Sequence, residues 1–411
     1  MKLSNIFKSI CCIVLNVGTA LYGAPDFSMT GYASVNGEGV NITTGGNGGT
    51  FKTITNLMDL KTWSSSREKD TTPETVIIKG KISSDSTVTI TIKNGANISI
   101  LGDEVSGGEL QNVGINIRDY RNVIVRNLKI YEVFYPDDAL TLDNVVHGWV
   151  DHCELYSKIG PGITVDTYDG LLDIKKGSRY ITISWCHIHD HMKCSLVGHT
   201  DNTGQQVQDG QIRVTYHHNW FSNTDGRNPS IRFGAVHMFN NYFENITDYG
   251  IAARDGAHAK LENNIYFNVV LPMSTDKFPV EGLPNGYICE SGNRLTGTTG
   301  QKVISQTGCN FWNSTTMPYK YTLDSVSTVE QTVKMYSGIL EKSTSVSKHN
   351  EMVVNHSFTN TVELLTGSQI TKTNLLYSLE IYSINGIKIP QANIRNRSHL
   401  NGVYIFKKLK R

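Results

Sequence analysis

The chain has 411 residues, 39% of them hydrophobic, with 38 Lys and Arg against 37 Asp and Glu. A chain of that length and balance builds a sizeable core, which excludes a disordered polypeptide and a basic nucleic-acid binder. No apolar run is long enough to cross a bilayer, so no membrane span is expected.

Residues 1–23 read as an export signal. Lys2 and Lys8 give a charged start, 10–17 is apolar apart from Asn16, and small residues follow at Gly18, Ala20, Gly23 and Ala24. Cleavage is expected near 20–24, and the mature protein is expected to be secreted or at the cell surface. Residues 24–60 are glycine-rich loop material leading into the main domain. They lack the Lys-Ser/Thr pair and following helix of a phosphate-binding loop.

A short pattern then recurs at 122–127 (NVIVRN), 147–153 (HGWVDHC), 180–186 (YITISWC), 212–219 (IRVTYHHN), 236–241 (VHMFNN) and 259–264 (AKLENN). Each copy is a β-rich alternation ending in a polar residue, often Asn, and copies lie about 22 to about 34 residues apart. Units of that size hide their apolar faces only by stacking on neighbours. The expected fold is therefore all-β, a parallel β-helix spanning 24–322, rather than a sandwich or propeller with hairpin turns every 8–12 residues.

Three carboxylates stand out: Asp138 at a strand entrance after Pro136, and Asp169 and Asp173 roughly one coil later. On an extended strand Asp169 and Asp173 would stand about 13 Å apart, so a shared ion requires a bend, which Gly170 allows. Three oxygen donors without a soft ligand favour Ca²⁺. Taken alone, solvated surface aspartates are the better reading. A cationic set, Lys193, Arg227 and Arg232, suits an anionic substrate carboxylate, although lone surface cations explain it as well. Pro229 makes 227–232 a turn or sheet edge. His187, His189 and His191 alternate as zinc ligands on a strand can, but in a stacked solenoid they read as ladder or turn residues. Asp151-His152 reads as a buried structural pair.

Five cysteines follow the signal, and Cys289 with Cys309 is the expected disulfide, with Cys153 and Cys186 buried neighbours without a bond. Residues 323–362 read as a Ser/Thr-rich linker and 363–411 as a separate β-module, with two strands around Asn385-Gly386 and a last strand from 401. Residues 323–411 carry 11 Lys and Arg against 6 Asp and Glu, whereas 24–322 carry 25 against 31. A basic tail follows an acidic body.

The motifs at 148–152 (GWVDH), 169–175 (DGLLDIK) and 227–232 (RNPSIR), in this order and spacing, resemble the pectate lyases of polysaccharide lyase family one. The likeness runs from about residue 29 to about 320. It implies a right-handed parallel β-helix with a substrate groove on one outer face, acting as a monomer. It places Ca²⁺ on Asp138, Asp169 and Asp173, substrate-carboxylate contacts on Lys193 and Arg232, and the catalytic base on Arg227. An additional acidic ligand present in one type of member is Pro136 here. The implied reaction is Ca²⁺-dependent β-elimination of polygalacturonate, at alkaline pH because a guanidinium holds its proton tightly. Pectin lyases, which lack the acid trio, polygalacturonases and non-catalytic β-helix adhesins are the competing readings. The tail resembles the C-terminal sorting domain of type nine secretion, which implies export machinery as a partner; a carbohydrate-binding or structural β-module is the other reading of it.

Overall fold

The computed structural model describes residues 25–340 and, beyond them, the backbones of five short strands. The body is the expected parallel solenoid. Each coil adds one strand to a 10-stranded sheet and further strands to a 13-stranded sheet, and successive coils pair in parallel.

Columns of like residues explain the stacking. Ile98, Val123, Gly148, Ile181, Val214, Val236, Ala259 and Ile288 share one register through eight coils. Two residues on, Ile100, Val125, Val150, Ile183, Tyr216, Met238 and Leu261 repeat it. Alternation along each strand turns both columns into the core, where β-branched side chains pack well on a pleated surface. Each buried aliphatic side chain contributes about 1.5–3 kcal/mol. On the opposite wall Phe221, Phe243 and Tyr266 stack with centroids 5.0 and 4.7 Å apart.

The turn leaving the first sheet is equally repetitive. Asn127, His152, Trp185, His218, Asn240 and Asn263 each take a left-handed conformation there, φ 48 to 57°. The next residue points inward, and from Asn219 onward it is an asparagine. The Asn219 Nδ2 donates to Asn241 Oδ1 at 2.9 Å, Asn241 to Asn264 at 2.9 Å, and Asn264 to Asn293 at 3.0 Å. Cys153 and Cys186 fill the earlier rungs, buried and unbonded, whereas Cys289 and Cys309 form the expected disulfide.

Two helices were not foreseen. Leu57–Ser66 starts at Asn56, whose side chain accepts from the Asp59 N–H, and buries Leu60 and Trp63 on the first coils. Val326–Tyr336, inside the stretch read as linker, buries Val329 and Val333 against Tyr242 and Ile265. Around it the chain runs back along the turn corner. The Asp324 carbonyl accepts from Asn263, Gly338 N donates to the Trp185 carbonyl, and Leu340 N donates to Asn127 Oδ1. This returning strap crosses coils already laid down.

In the tail, Ser378–Ser383 pairs antiparallel with Lys388–Ile389 and with Val403–Lys408, which agrees with the expected hairpin and last strand. The export signal, residues 341–364 and the tail's side chains lie outside the described residues.

Candidate active site

The functional side chains gather at the other corner of the coil, where loops of unequal length join the two halves of the 13-stranded sheet. Asp138 lies just before strand Leu140–Asp143, and Asp173 sits inside Leu172–Lys175, the parallel strand of the next coil. Gly170 lies between the two carboxylates. Its N–H donates to Asp138 Oδ1 at 2.9 Å. A Cβ there would stand 2.5 Å from Asp173 Oδ1 and 2.8 Å from Asp138 Oδ1. Only glycine leaves that space open, and the bend it allows takes Asp169 off the strand.

These acids are held ionised or not by their neighbours. Lys175 Nζ lies 2.7 Å from Asp138 Oδ2 and 3.2 Å from Asp173 Oδ2. Burial opposes the Asp138 charge, but the Lys175 ammonium and hydrogen bonds from Lys175, Thr141 and Gly170 keep its carboxyl below the ordinary range. Asp173 goes the other way: burial and the Asp138 charge push it up to about 7, against the pull of Lys175 and Arg227. Burial also works against the Lys175 charge, yet Asp173 and Asp138 hold that ammonium above its usual value. Two buried carboxylates crowded around one lysine make a site short of positive charge.

Asp169 faces Lys193, with Oδ1 and Nζ 2.8 Å apart. Its carbonyl accepts from His191 Nε2, while Ser157 meets the other ring nitrogen at 3.0 Å. Burial pushes His191 down to about 4, which keeps it a neutral donor. Arg227 follows strand Trp220–Gly226 at φ 59°, in the turn containing Pro229. Among the described residues no carboxylate is in ion-pair contact with its guanidinium, although its charge is felt at Asp173. Arg232 is engaged elsewhere. Its Nε lies 2.5 Å from Asp201 Oδ1 and 3.7 Å from Asp255 Oδ2, and Arg254 shares Asp201 at 3.1 Å.

Five of the six sequence-derived residues thus cluster by contact or field, while Arg232 belongs to an adjoining Arg–Asp group. Lys175 was missed. The signal for it was present: two residues after Asp173 on one strand, it must share that face. Arg254 and Asp255 were missed too, and Asp201 reaches them from a loop that no local pattern ties to Arg232. The Asp151–His152 pair is the structural contact expected, 2.7 Å long and fully buried. Three carboxylates, no soft donor, a cradle that a methyl group would fill and a charge deficit at Asp173 fit a hard divalent cation such as Ca²⁺.

The family profile described as pectate lyase matches residues 3–342. The pectate trisaccharide-lyase of Bacillus licheniformis is 37% identical over 320 residues, covering 76% of this chain and 87% of that protein. A pectate lyase from Bacillus sp. N165, solved in complex with trigalacturonate, is 34% identical, with TM-score 0.62 over 76% of this chain and 98% of that one. Pectate lyase C from Erwinia chrysanthemi, solved at pH 9.5 with 30 mM Ca²⁺, shares the fold at 24% identity, with TM-score 0.61 over 76% and 96% of the two chains.

Proposed function

The chain belongs to the pectate lyase family of polysaccharide lyases, and from that premise we propose that it is an exported, Ca²⁺-dependent enzyme cleaving polygalacturonate by β-elimination. The observation that carries this reading is the cradle at Gly170, where Asp138 and Asp173 converge on a space with too little positive charge. Asp138, Asp169 and Asp173 would hold the ion. When bound, Ca²⁺ neutralises the galacturonate carboxylate beside carbon 5 and so acidifies the proton on that carbon.

The remaining steps belong to this chain's side chains. Lys193 exchanges its contact with Asp169 for a substrate carboxylate, and Arg232 does the same from Asp201. Arg227, which among the described residues has no carboxylate partner, acts as base in its neutral guanidine form, the form alkaline pH favours, and takes the carbon 5 proton. The bond from carbon 4 to oxygen breaks, the oxygen leaves with that electron pair and is protonated from solvent, and a double bond between carbons 4 and 5 remains. Negative charge that builds on the substrate in that step is met by cations already in place.

The test is the ultraviolet absorbance of that new double bond when polygalacturonate is incubated with the protein. It should rise with Ca²⁺, stop with a chelator and return with Ca²⁺ but not Zn²⁺. Sugar release without the absorbance would make the enzyme a hydrolase, and full activity in excess chelator would remove the metal. Residues 363–411 we assign to sorting during export. Truncation after Leu340, which keeps the docked helix, should preserve turnover and trap the protein in the periplasm of a host with the matching machinery. Normal secretion with weakened binding to insoluble pectin would make the tail a binding module instead.

A further inference from the structure

A second cluster of ligand-type side chains lies away from the groove, on the outer face where strands Glu154–Tyr156 and His187–Lys193 pair. Glu154 stands opposite His187 and Tyr156 opposite His189. Ile188 between the histidines is fully buried in the core, so alternation turns both imidazoles outward. Lys193, the residue that meets Asp169, lies four residues beyond His189, about 13 Å along an extended strand, which separates this cluster from the acid trio.

The second contacts are those of a prepared metal ligand set. His189 sits between two carboxylates, with Nδ1 2.7 Å from Asp190 and Nε2 facing Glu154 Oε1, so a cation at Nε2 would take the place of the proton that otherwise bridges that pair. A carboxylate behind a histidine is what fixes ring and tautomer in metal sites. Nε2 and Oε1 are 3.3 Å apart. That is long for a hydrogen bond, but it matches the edge of a tetrahedron with bonds of about 2.0–2.1 Å. The other Glu154 oxygen is occupied by Lys129 at 3.1 Å, so Oε1 is the one available. His187 completes the set from two residues earlier on the same strand. Ser222 at 2.9 Å and the stacked Trp220 ring, 4.1 Å away, hold it in place.

The geometry points to a transition-metal site formed by Glu154, His187 and His189, whose ligand atoms lie within 4.8 Å of one another. Two imidazoles and one carboxylate select Zn²⁺, or Co²⁺ in its place, over the Ca²⁺ suited to the groove. Binding draws the side-chain tips together, leaves a fourth position to water and ties two successive coils.

The full-length protein, stripped with chelator and then held in excess Ca²⁺, should bind one equivalent of Zn²⁺ by calorimetry. Co²⁺ should give the intense visible bands of a tetrahedral site. Glu154→Gln and His189→Gln should each weaken Zn²⁺ binding by at least about tenfold. Both should keep the circular dichroism spectrum and the Ca²⁺-dependent lyase rate, which separates this site from the groove. Absence of Zn²⁺ binding would overturn the proposal, as would equal binding by wild type and both folded variants, since the ion would then sit elsewhere.

Discussion

At one corner of the coil Asn219, Asn241 and Asn264 stack on each other unaided. At the other, Asp138, Asp169 and Asp173 stand on adjoining coils only with Lys175 and Lys193 among them. An amide carries both donor and acceptor, so each asparagine satisfies the next, and the ladder can run for as many coils as there are. An ionised carboxylate only accepts. A stack of them demands a cation from outside the pattern, supplied by lysine or metal, and that demand sets the second corner apart. The same repeating backbone thus gives a self-sufficient corner and a needy one.

The sharpest break between the corners should come from Arg227→Lys. Elimination should fall by about a thousandfold, some 4 kcal/mol of transition-state stabilisation, with the melting temperature unmoved because the side chain is outside the core. Retention of more than about a tenth of the rate, a loss under ~1.4 kcal/mol, would show that Arg227 is not the base.

Asn241→Ala should do the reverse. It strands the buried Asn219 backbone N–H, which donates to Asn241 Oδ1, and removes one bond each from Asn219 Nδ2 and Asn264 Oδ1, at a cost of about 3 kcal/mol. Denaturant unfolding should register that loss while turnover per folded molecule stays at wild type. A stability change within error would mean the ladder is decorative.

Acid and alkali should separate the two kinds of buried group. His187 and His191 are held at about 3 and about 4 by burial, against about 6.5 in an unfolded chain. Between those values the unfolded state binds more protons, so stability falls as pH drops from about 6.5, by roughly 2 kcal/mol for each histidine before pH 5. Asp173 has the opposite sign. Its folded value of about 7 lies above the unfolded one of about 3.9, so its contribution is full below about pH 4 and is lost as pH rises to about 7, which offsets about half of the two histidines' effect in the same window. Metal-free protein should therefore lose stability as pH falls below about 6.5, two histidines against one aspartate, and stay level above about 7, and Ca²⁺, which takes the ionised Asp173, should raise that plateau and steepen the acid loss. A melting temperature that stays level from pH 4 to 9 in chelator would contradict both assignments.

The smallest effect is expected from Asp173→Asn, which makes one rung of the needy corner resemble the other. The Ca²⁺ concentration for half-maximal activity should rise by about tenfold, since one charged hard-oxygen ligand becomes a neutral one. The acid loss of stability should steepen with it, because the opposing contribution of Asp173 between about pH 4 and about 7 is gone. An unchanged Ca²⁺ requirement would remove Asp173 from the ligand set.

Much of this was legible because stacking repeats a simple demand: the same size and branching at the same place in each coil. The columns through Val123 and Val125 and the recurrent Asn needed nothing more. What escaped was whatever the repeat does not dictate. Helix Leu57–Ser66 shows only Leu60 and Trp63 as its buried pair, three residues apart, and Val326–Tyr336 only Val329 and Val333 among serines and threonines. Such short stripes do not stand out against a β-rich background. The acid trio and Arg227 were readable as a motif, but which cation each acid meets was not. Asp201 finds Arg232 through a loop 31 residues upstream in the chain, a contact set by tertiary folding alone.

The returning strap has a consequence for how the molecule comes apart. A stack of coils touching only their neighbours frays from its ends, each coil opening at its own free energy. Here residues 324–340 fasten Asn263, His218, Trp185 and Asn127, so a late segment is anchored to early and late coils together. Opening any of these turns must first loosen a cord that also binds the others. The solenoid should therefore behave as one cooperative unit rather than a zipper, and a load applied at Leu340 reaches the middle of the stack instead of peeling off the last coil.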